Sequence, residues 1–185
     1  MKATLFATFV ALLMAGCGEG QNPGDSNADN DSVSAPFVDK WAEWEANPEP
    51  YGGPEVLAKI KKAKESGAIS LLFQYNQISD LSPLTGLTKL RELRLGDNEI
   101  SDVSPLKGLT KLETLYLSVN NITDVSPLKG STNLERLNLS DNKITDLSPL
   151  KGLTNLKELD LEGNPVSEDQ KAMLKKALPD CDIRF

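Results

Sequence analysis

LTKLRELRLGDNEISDVSPLKG, residues 87–108, decides how this chain folds, because two near copies follow it: LTKLETLYLSVNNITDVSPLKG (109–130) and STNLERLNLSDNKITDLSPLKG (131–152). A partial copy, GAISLLFQYNQISDLSPLTG (67–86), precedes them, and LTNLKELDLEGNP (153–165) follows. Similarity at a period of 22 residues marks a stack of supersecondary units, each covering its neighbour's apolar face. Within one unit, Glu92-Leu93-Arg94-Leu95-Gly96 alternates. Leu93 and Leu95 point inward and Glu92, Arg94 and Gly96 outward, the pattern of a half-buried strand. Leu87, Leu90, Ile100, Val103 and Leu106 supply the rest of that core layer. Asn76, Asn98, Asn120, Asn142 and Asn164 recur just after the strand, where an amide side chain can satisfy turn backbone groups as a ladder inside the coil. Ser82-Pro83, Ser104-Pro105, Ser126-Pro127 and Ser148-Pro149 read as a capping serine followed by proline at the first helical position. The segment left for each helix is short, which predicts 3₁₀ turns ended by glycines at positive φ, as at Lys107-Gly108.

The pattern L-x-x-L-x-x-L-x-L-x-x-N-x-I resembles the leucine-rich repeat, and the I-[ST]-D-[LV]-S-P-L segment resembles the 22-residue repeats of bacterial internalins. The resemblance runs over roughly residues 65–185. It implies an α/β solenoid: a horseshoe with short parallel strands on the concave face and 3₁₀ turns on the convex one.

The open ends of such a stack need covers. Val56, Leu57, Ile60, Ala63 and Lys64 fall on one face of a helix that Pro54-Glu55 opens and Gly67 ends, an N-terminal cap. Ser167-Glu168-Asp169-Gln170 reads as a capping box that starts a C-terminal helix to about Ala177. Cys181 to Phe185 then alternates apolar inward and charged outward, as a last strand in which Cys181 is a cap hydrophobe. Phe37, Trp41 and Trp44, at helical spacing, are expected to pack on the N-terminal cap.

Composition narrows the chemistry. The 185 residues contain no histidine, which removes Ser-His and Cys-His nucleophile pairs and histidine-based zinc sites. Two cysteines cannot build a Cys₄ metal site. The formal net charge of −7 lacks the basic patch of a nucleic-acid binder. Nine of the 27 acids lie in residues 17–55 against the single base Lys40, while 18 acids balance 18 bases from residue 56 onward. The acidity therefore belongs to the N-terminal stretch. No catalytic residue, metal ligand or cofactor site emerges, and the reading is non-enzymatic.

That stretch opens as a secretory signal: Lys2, an apolar run from Ala3 to Met14, then Ala15-Gly16-Cys17. The run is too short for a membrane span, which needs roughly 20 apolar residues. Leu12-Leu13-Met14-Ala15-Gly16-Cys17 resembles the lipobox of bacterial lipoproteins, with methionine where leucine is commonest. The resemblance implies cleavage before Cys17, diacylglycerol on its sulfur and an acyl chain on its new amine. Two or three acyl chains, at about 0.8 kcal/mol per CH₂, anchor stably where one is marginal. Gly18 after the cysteine favours the outer membrane in a Gram-negative host. Gly18 to Pro36 is too polar to bury a core and is expected to be a disordered tether. The expected organisation is signal peptide 1–16, acidic tether 17–36, N-terminal helical cap 37–66, about five repeats over 67–165, and C-terminal cap 166–185.

Repeat proteins of this kind bind with the concave face. Two columns of outward positions are Ser70, Glu92, Thr114, Arg136, Glu158 and Leu72, Arg94, Tyr116, Asn138, Asp160. The third is Gln74, Gly96, Ser118, Ser140, Glu162, with Tyr75, Asp97, Val119, Asp141, Gly163 flanking it. Leu72, Tyr75, Arg94, Tyr116 and Val119 have the aromatic and arginine composition of a protein-binding hot spot, with Asn138 and Asp160 continuing the face. Glu158, Asp160 and Glu162 make its C-terminal end acidic. The bland alternative is ladder packing, with Arg94 stacked on Tyr116 and Arg136 paired with Glu158. Five strands span about 20 Å and three exposed residues about 13 Å, well short of a standard interface. The expectation is a monomeric, membrane-tethered module that binds a protein or peptide weakly. The alternative is an envelope spacer with no ligand on that face.

Overall fold

The structure is a computed structural model and describes residues 40–185. The signal-like start, Cys17, the acidic stretch to Pro36, and Phe37 lie outside the described residues. The described chain builds one six-stranded parallel sheet in sequence order. Its strands are β1 (Ser70–Leu72), β2 (Glu92–Arg94), β3 (Thr114–Tyr116), β4 (Arg136–Asn138), β5 (Glu158–Asp160) and β6 (Asp182–Arg184). The register follows the repeat, so Leu71, Leu93, Leu115, Leu137, Leu159 and Ile183 face one another across neighbouring strands. The chain is an α/β solenoid.

Each repeat contributes one core layer because the same seven apolar positions recur. Leu87, Leu90, Leu93, Leu95, Ile100, Val103 and Leu106 are all buried, as are Leu109, Leu112, Leu115, Leu117, Ile122, Val125 and Leu128 one layer on. Fully burying one such side chain is worth about 2 kcal/mol, so the stack holds itself through its repeats. One layer departs from the pattern. Ser131 takes the place of Leu87, Leu109 and Leu153, is buried, and finds no partner for its hydroxyl among the described residues.

Short 3₁₀ turns at Ser82–Leu84, Ser104–Leu106, Ser126–Gly130 and Ser148–Gly152 bring the chain back to the next strand. Their start corrects the sequence expectation. Serine is the first helical residue rather than the cap, and an aspartate two residues upstream holds its N–H: Ser82 donates to Asp80, Ser104 to Asp102, Ser126 to Asp124 and Ser148 to Asp146, at 2.7–2.8 Å. The short Asp side chain reaches a backbone donor two residues on, an Asx turn. The glycine expectation also fails for three repeats. Gly86 has φ 86°, but Gly108, Gly130 and Gly152 do not adopt positive φ, and the third and fourth 3₁₀ turns run through their glycines.

Asparagine side chains knit the turns together. Asn142 donates to the carbonyls of Leu117 (2.9 Å) and Leu139 (3.0 Å) and accepts from the Ile122 N–H (3.0 Å). Asn98, Asn120 and Asn164 bond in the same manner to the strand before and to their own turn. Asn76 does not: among the described residues no repeat precedes it, and its amide donates only to the Gln74 carbonyl.

The ends are closed by helices. α1 (Lys40–Ala46) and α2 (Gly53–Ser66) stand at the N-terminal end, where α2 buries Val56, Leu57, Ile60 and Ala63. Lys64, expected on that apolar face, is exposed and holds its ammonium 4.9 Å from the Trp41 ring. Trp41 and Trp44 meet edge to face at 4.9 Å, and Trp41 packs against the core. α3 (Glu168–Ala177) covers the other end. Ser167 caps it by accepting from the Gln170 N–H, but Gln170 does not complete the capping box. Its side chain accepts instead from the Leu147 N–H at 2.9 Å, tying the cap to the preceding turn. Cys181, Ile183 and Phe185 pack half-buried against the core. Burial raises the Cys181 thiol above its usual pKa. Among the described residues no helix is long and apolar enough to cross a membrane.

Candidate binding face

The parallel register assembles the outward side chains into two rows. Ser70, Glu92, Thr114, Arg136, Glu158 and Asp182 form one; Leu72, Arg94, Tyr116, Asn138, Asp160 and Arg184 form the other. β6 thus adds Asp182 and Arg184 to the face, two residues that the repeat columns had stopped short of. Arg184 sets a positive charge beside Asp160, whereas Asp182 adds a negative one beside Glu158, so the acidity expected at this end is unchanged.

Neighbouring side chains are already engaged with one another. The Arg94 guanidinium lies 4.8 Å from the Tyr116 ring centre and its Nε donates to Glu92 at 2.7 Å. Glu92 also accepts from the Ser70 hydroxyl at 3.0 Å. The hydrogen bond from Arg94, then that from Ser70, holds the Glu92 carboxyl below its usual pKa. Arg136 approaches Glu158 at 3.8 Å. Asn138 and Asp160 turn back on their own chain, accepting from the N–H groups of Ser140 (2.9 Å) and Glu162 (3.1 Å). The face therefore holds its polar groups in fixed positions.

Two shallow concavities open on it. One, of about 460 Å³, includes Ser70, Glu92, Arg94 and Thr114; the other, of about 190 Å³, includes Asn138, Glu158, Asp160 and Arg184. Tyr116 and Arg136 line both and form the ridge between them.

The flanking column has a conformational signature. Tyr75, Asp97, Val119, Asp141 and Gly163 all hold left-handed backbone, with φ of 60°, 55°, 54°, 52° and 76°. Glycine is at ease there and aspartate tolerates it, whereas a β-branched or bulky residue is an outlier. Val119 and Tyr75 are those outliers, and they are 44% and 77% exposed. Leu72 (56%) and Ile69 (58%) complete the set of exposed large hydrophobics among the described residues. Ile69 escaped the sequence reading because it precedes β1, at a position that is charged in the other repeats (Arg91, Glu113, Glu135, Lys157).

Sequence models described as Leucine Rich repeats (2 copies) match residues 69–108, 88–130, 110–150 and 132–171, more than half of the chain. The chain belongs to the leucine-rich repeat family. Several solved structures share its fold. Internalin C2 of Listeria monocytogenes is 37% identical over 62% of this chain and 59% of its own, with a TM-score of 0.50. An internalin (inlF) from the same species is 28% identical over 67% and 43%, with a TM-score of 0.54. A leucine-rich repeat protein of Leptospira interrogans is 25% identical over 68% and 39%, also at 0.54. This leucine-rich repeat chain thus spans about two-fifths to three-fifths of the length of those proteins. No curated protein matches it. Leucine-rich repeat proteins of the internalin type are in general protein-interaction modules, which fits a face of fixed polar groups and exposed apolar ones. Among the described residues, no group of three or more cysteine, aspartate or glutamate side chains is placed to hold a metal ion.

Proposed function

We propose that this protein is a non-catalytic recognition module of the bacterial cell envelope that binds a protein or peptide through its concave face. The observation that carries the reading is the backbone at Tyr75 and Val119. Left-handed conformations cost such residues on the order of 1–3 kcal/mol, yet here they present exposed apolar side chains beside Leu72, Arg94 and Tyr116. Large apolar groups kept at a conformational cost, rather than aspartate or glycine, support a contact role. Arg94 and Tyr116, locked together, serve as preordered anchors, which lowers the entropy lost on binding.

Six strands span about 24 Å and the exposed residues about 13 Å across, so the face alone holds a partner weakly. Attachment to a membrane raises the effective concentration of a partner on the same surface. In this reading Cys17 carries the lipid anchor, the protein is a monomer held in the envelope, and in a Gram-negative host it sits in the outer membrane. The contacts of Arg94 with Tyr116 and of Arg136 with Glu158 support the competing reading of a structural spacer whose face merely packs on itself.

Affinity capture from host envelope separates the two. Arg94→Glu combined with Tyr116→Ala abolishes recovery of a partner while the domain stays folded; undiminished recovery supports the spacer. The anchor is tested by Cys17→Ala, which stops labelling by radioactive palmitate and releases the protein from the membrane fraction. Persistent labelling would remove Cys17 from its role.

A further inference from the structure

Among the described residues β1 is the N-terminal edge of the sheet, with β2 on one side and no strand on the other. The Phe73 N–H donates to the Arg94 carbonyl at 2.8 Å, and the Ile69 carbonyl accepts from Arg91 and Glu92. Residues 69 and 73 thus turn backbone groups toward β2. Alternate residues of a strand face opposite neighbours, so the N–H and C=O groups of Ser70 and Leu72 point away from the sheet. Beside them lies a concavity of about 450 Å³, walled by β1 and by Lys59, Lys62, Ala63 and Ser66 of α2. Three of the four exposed large hydrophobics of the described residues, Ile69, Leu72 and Tyr75, belong to β1 and the residues flanking it. Among the described residues, Lys59 and Lys62 form no ion pair and no acidic residue lines the concavity.

We infer that this edge is a second docking site, which takes an extended acidic segment of a partner protein as an added strand beside β1. The backbone groups of Ser70 and Leu72 supply the pairing, as in other strand-addition complexes. The two lysines select the charge. Positions three apart on a helix are about 5–6 Å from each other, and alternate residues of a strand are about 6.6 Å apart. Carboxylates at positions i and i+2 of the added strand can therefore each meet one ammonium group. Residues between them face the other way, where Leu72 offers an apolar contact. Lysines beside an open edge ordinarily keep other strands away; here they refuse basic strands and admit acidic ones. The site uses the outer side of β1 and α2, and does not depend on ligand binding at Arg94 and Tyr116.

The test uses the intact protein and an eight-residue peptide of alternating glutamate and valine. Its controls are an alternating lysine and valine peptide, and the acidic peptide with prolines at two central positions. The acidic peptide is expected to bind and to slow hydrogen exchange of the Ser70 and Leu72 amides. Lys59→Glu with Lys62→Glu turns two exposed attractive pairs into repulsive ones and weakens binding by about tenfold or more. Lys59→Gln with Lys62→Gln gives a smaller loss at an unchanged unfolding midpoint, and Arg94→Glu with Tyr116→Ala leaves binding intact. Absence of binding, equal binding of the lysine or proline peptide, or binding without protection of those two amides overturns the proposal. So does protection in the free protein. If it grows with protein concentration the occupant is a second copy; if it vanishes on removal of residues 17–39 the occupant is the chain's own acidic segment.

Discussion

Val119 and Gly163 occupy the same turn position of two repeats with nearly the same backbone, φ 54° and 76°. Glycine reaches that region freely, whereas valine is forced into it by the repeats on either side. The Val119 N–H donates to the Ser140 carbonyl at 2.9 Å and its carbonyl accepts from Asn98, so the turn cannot relax without breaking the ladder.

Val119→Gly is therefore expected to stabilise the protein by about 1 kcal/mol, the relief of strain outweighing the added freedom of the unfolded chain. Urea denaturation measures it. The same substitution should weaken capture of a concave-face partner, so stability and binding move in opposite directions. A destabilised variant would show that the Val119 side chain is held for packing.

Removing an asparagine amide should cost very different amounts along the chain. Asn142, 6% exposed, bonds three carbonyls and one N–H, and each buried group left unpaired costs about 1–3 kcal/mol. Asn142→Ala is expected to lose about 3 kcal/mol or more, the sum over several groups at the low end of that range. Asn76→Ala, which forfeits a single bond within its own turn, should lose about 1 kcal/mol or less. Equal losses would mean that the ladder does not hold the stack.

Ser131 gives a prediction of the opposite sign. Its buried hydroxyl has no partner among the described residues, so Ser131→Ala removes a group whose unmet desolvation costs about 1–3 kcal/mol and should raise the unfolding midpoint. Ser131→Leu restores the side chain that Leu87, Leu109 and Leu153 carry in their own layers, and should raise it further. A midpoint lowered by Leu but raised by Ala would show that this layer has closed around the smaller residue.

The bonds to Glu92 make one contribution to stability acid-sensitive. Arg94 and Ser70 hold its pKa below the ordinary 4.5. Their contribution is complete above that value and disappears as the pH falls through the depressed one. Glu92→Gln should thus be less stable than the parent at pH 7, by no more than about 1 kcal/mol for so exposed a pair. The gap should close below the carboxylate range. Denaturation of both proteins over an acid pH series reads it directly.

The solenoid was legible in the sequence because its determinants are periodic. Seven apolar positions, broken at Ser131, and an alternating strand recur along the repeats, and each can be assigned without knowing what lies next to it. Local details were harder. The sequence reading put the cap of each 3₁₀ turn on serine, and the structure puts it on the aspartate two residues earlier, since both side chains reach the same backbone groups and only geometry chooses. Gln170 is a similar case: spacing pointed it at Ser167, while the packing of α3 brings the Leu147 N–H within its reach.

By itself, the sequence determined the 22-residue layer, the six strands with their inward leucines or, in the last, isoleucine, the helical ends and the absence of histidine chemistry. These follow from short-range pattern and composition. Only the tertiary structure decided that Arg94 lies on Tyr116, that β6 carries Asp182 and Arg184 onto the face, that Tyr75 and Val119 hold strained backbone, and that, among the described residues, β1 leaves an edge beside two lysines without ion pairs. Each depends on groups far apart in the chain, whose separation is set by strand register and by how the caps seat on the core.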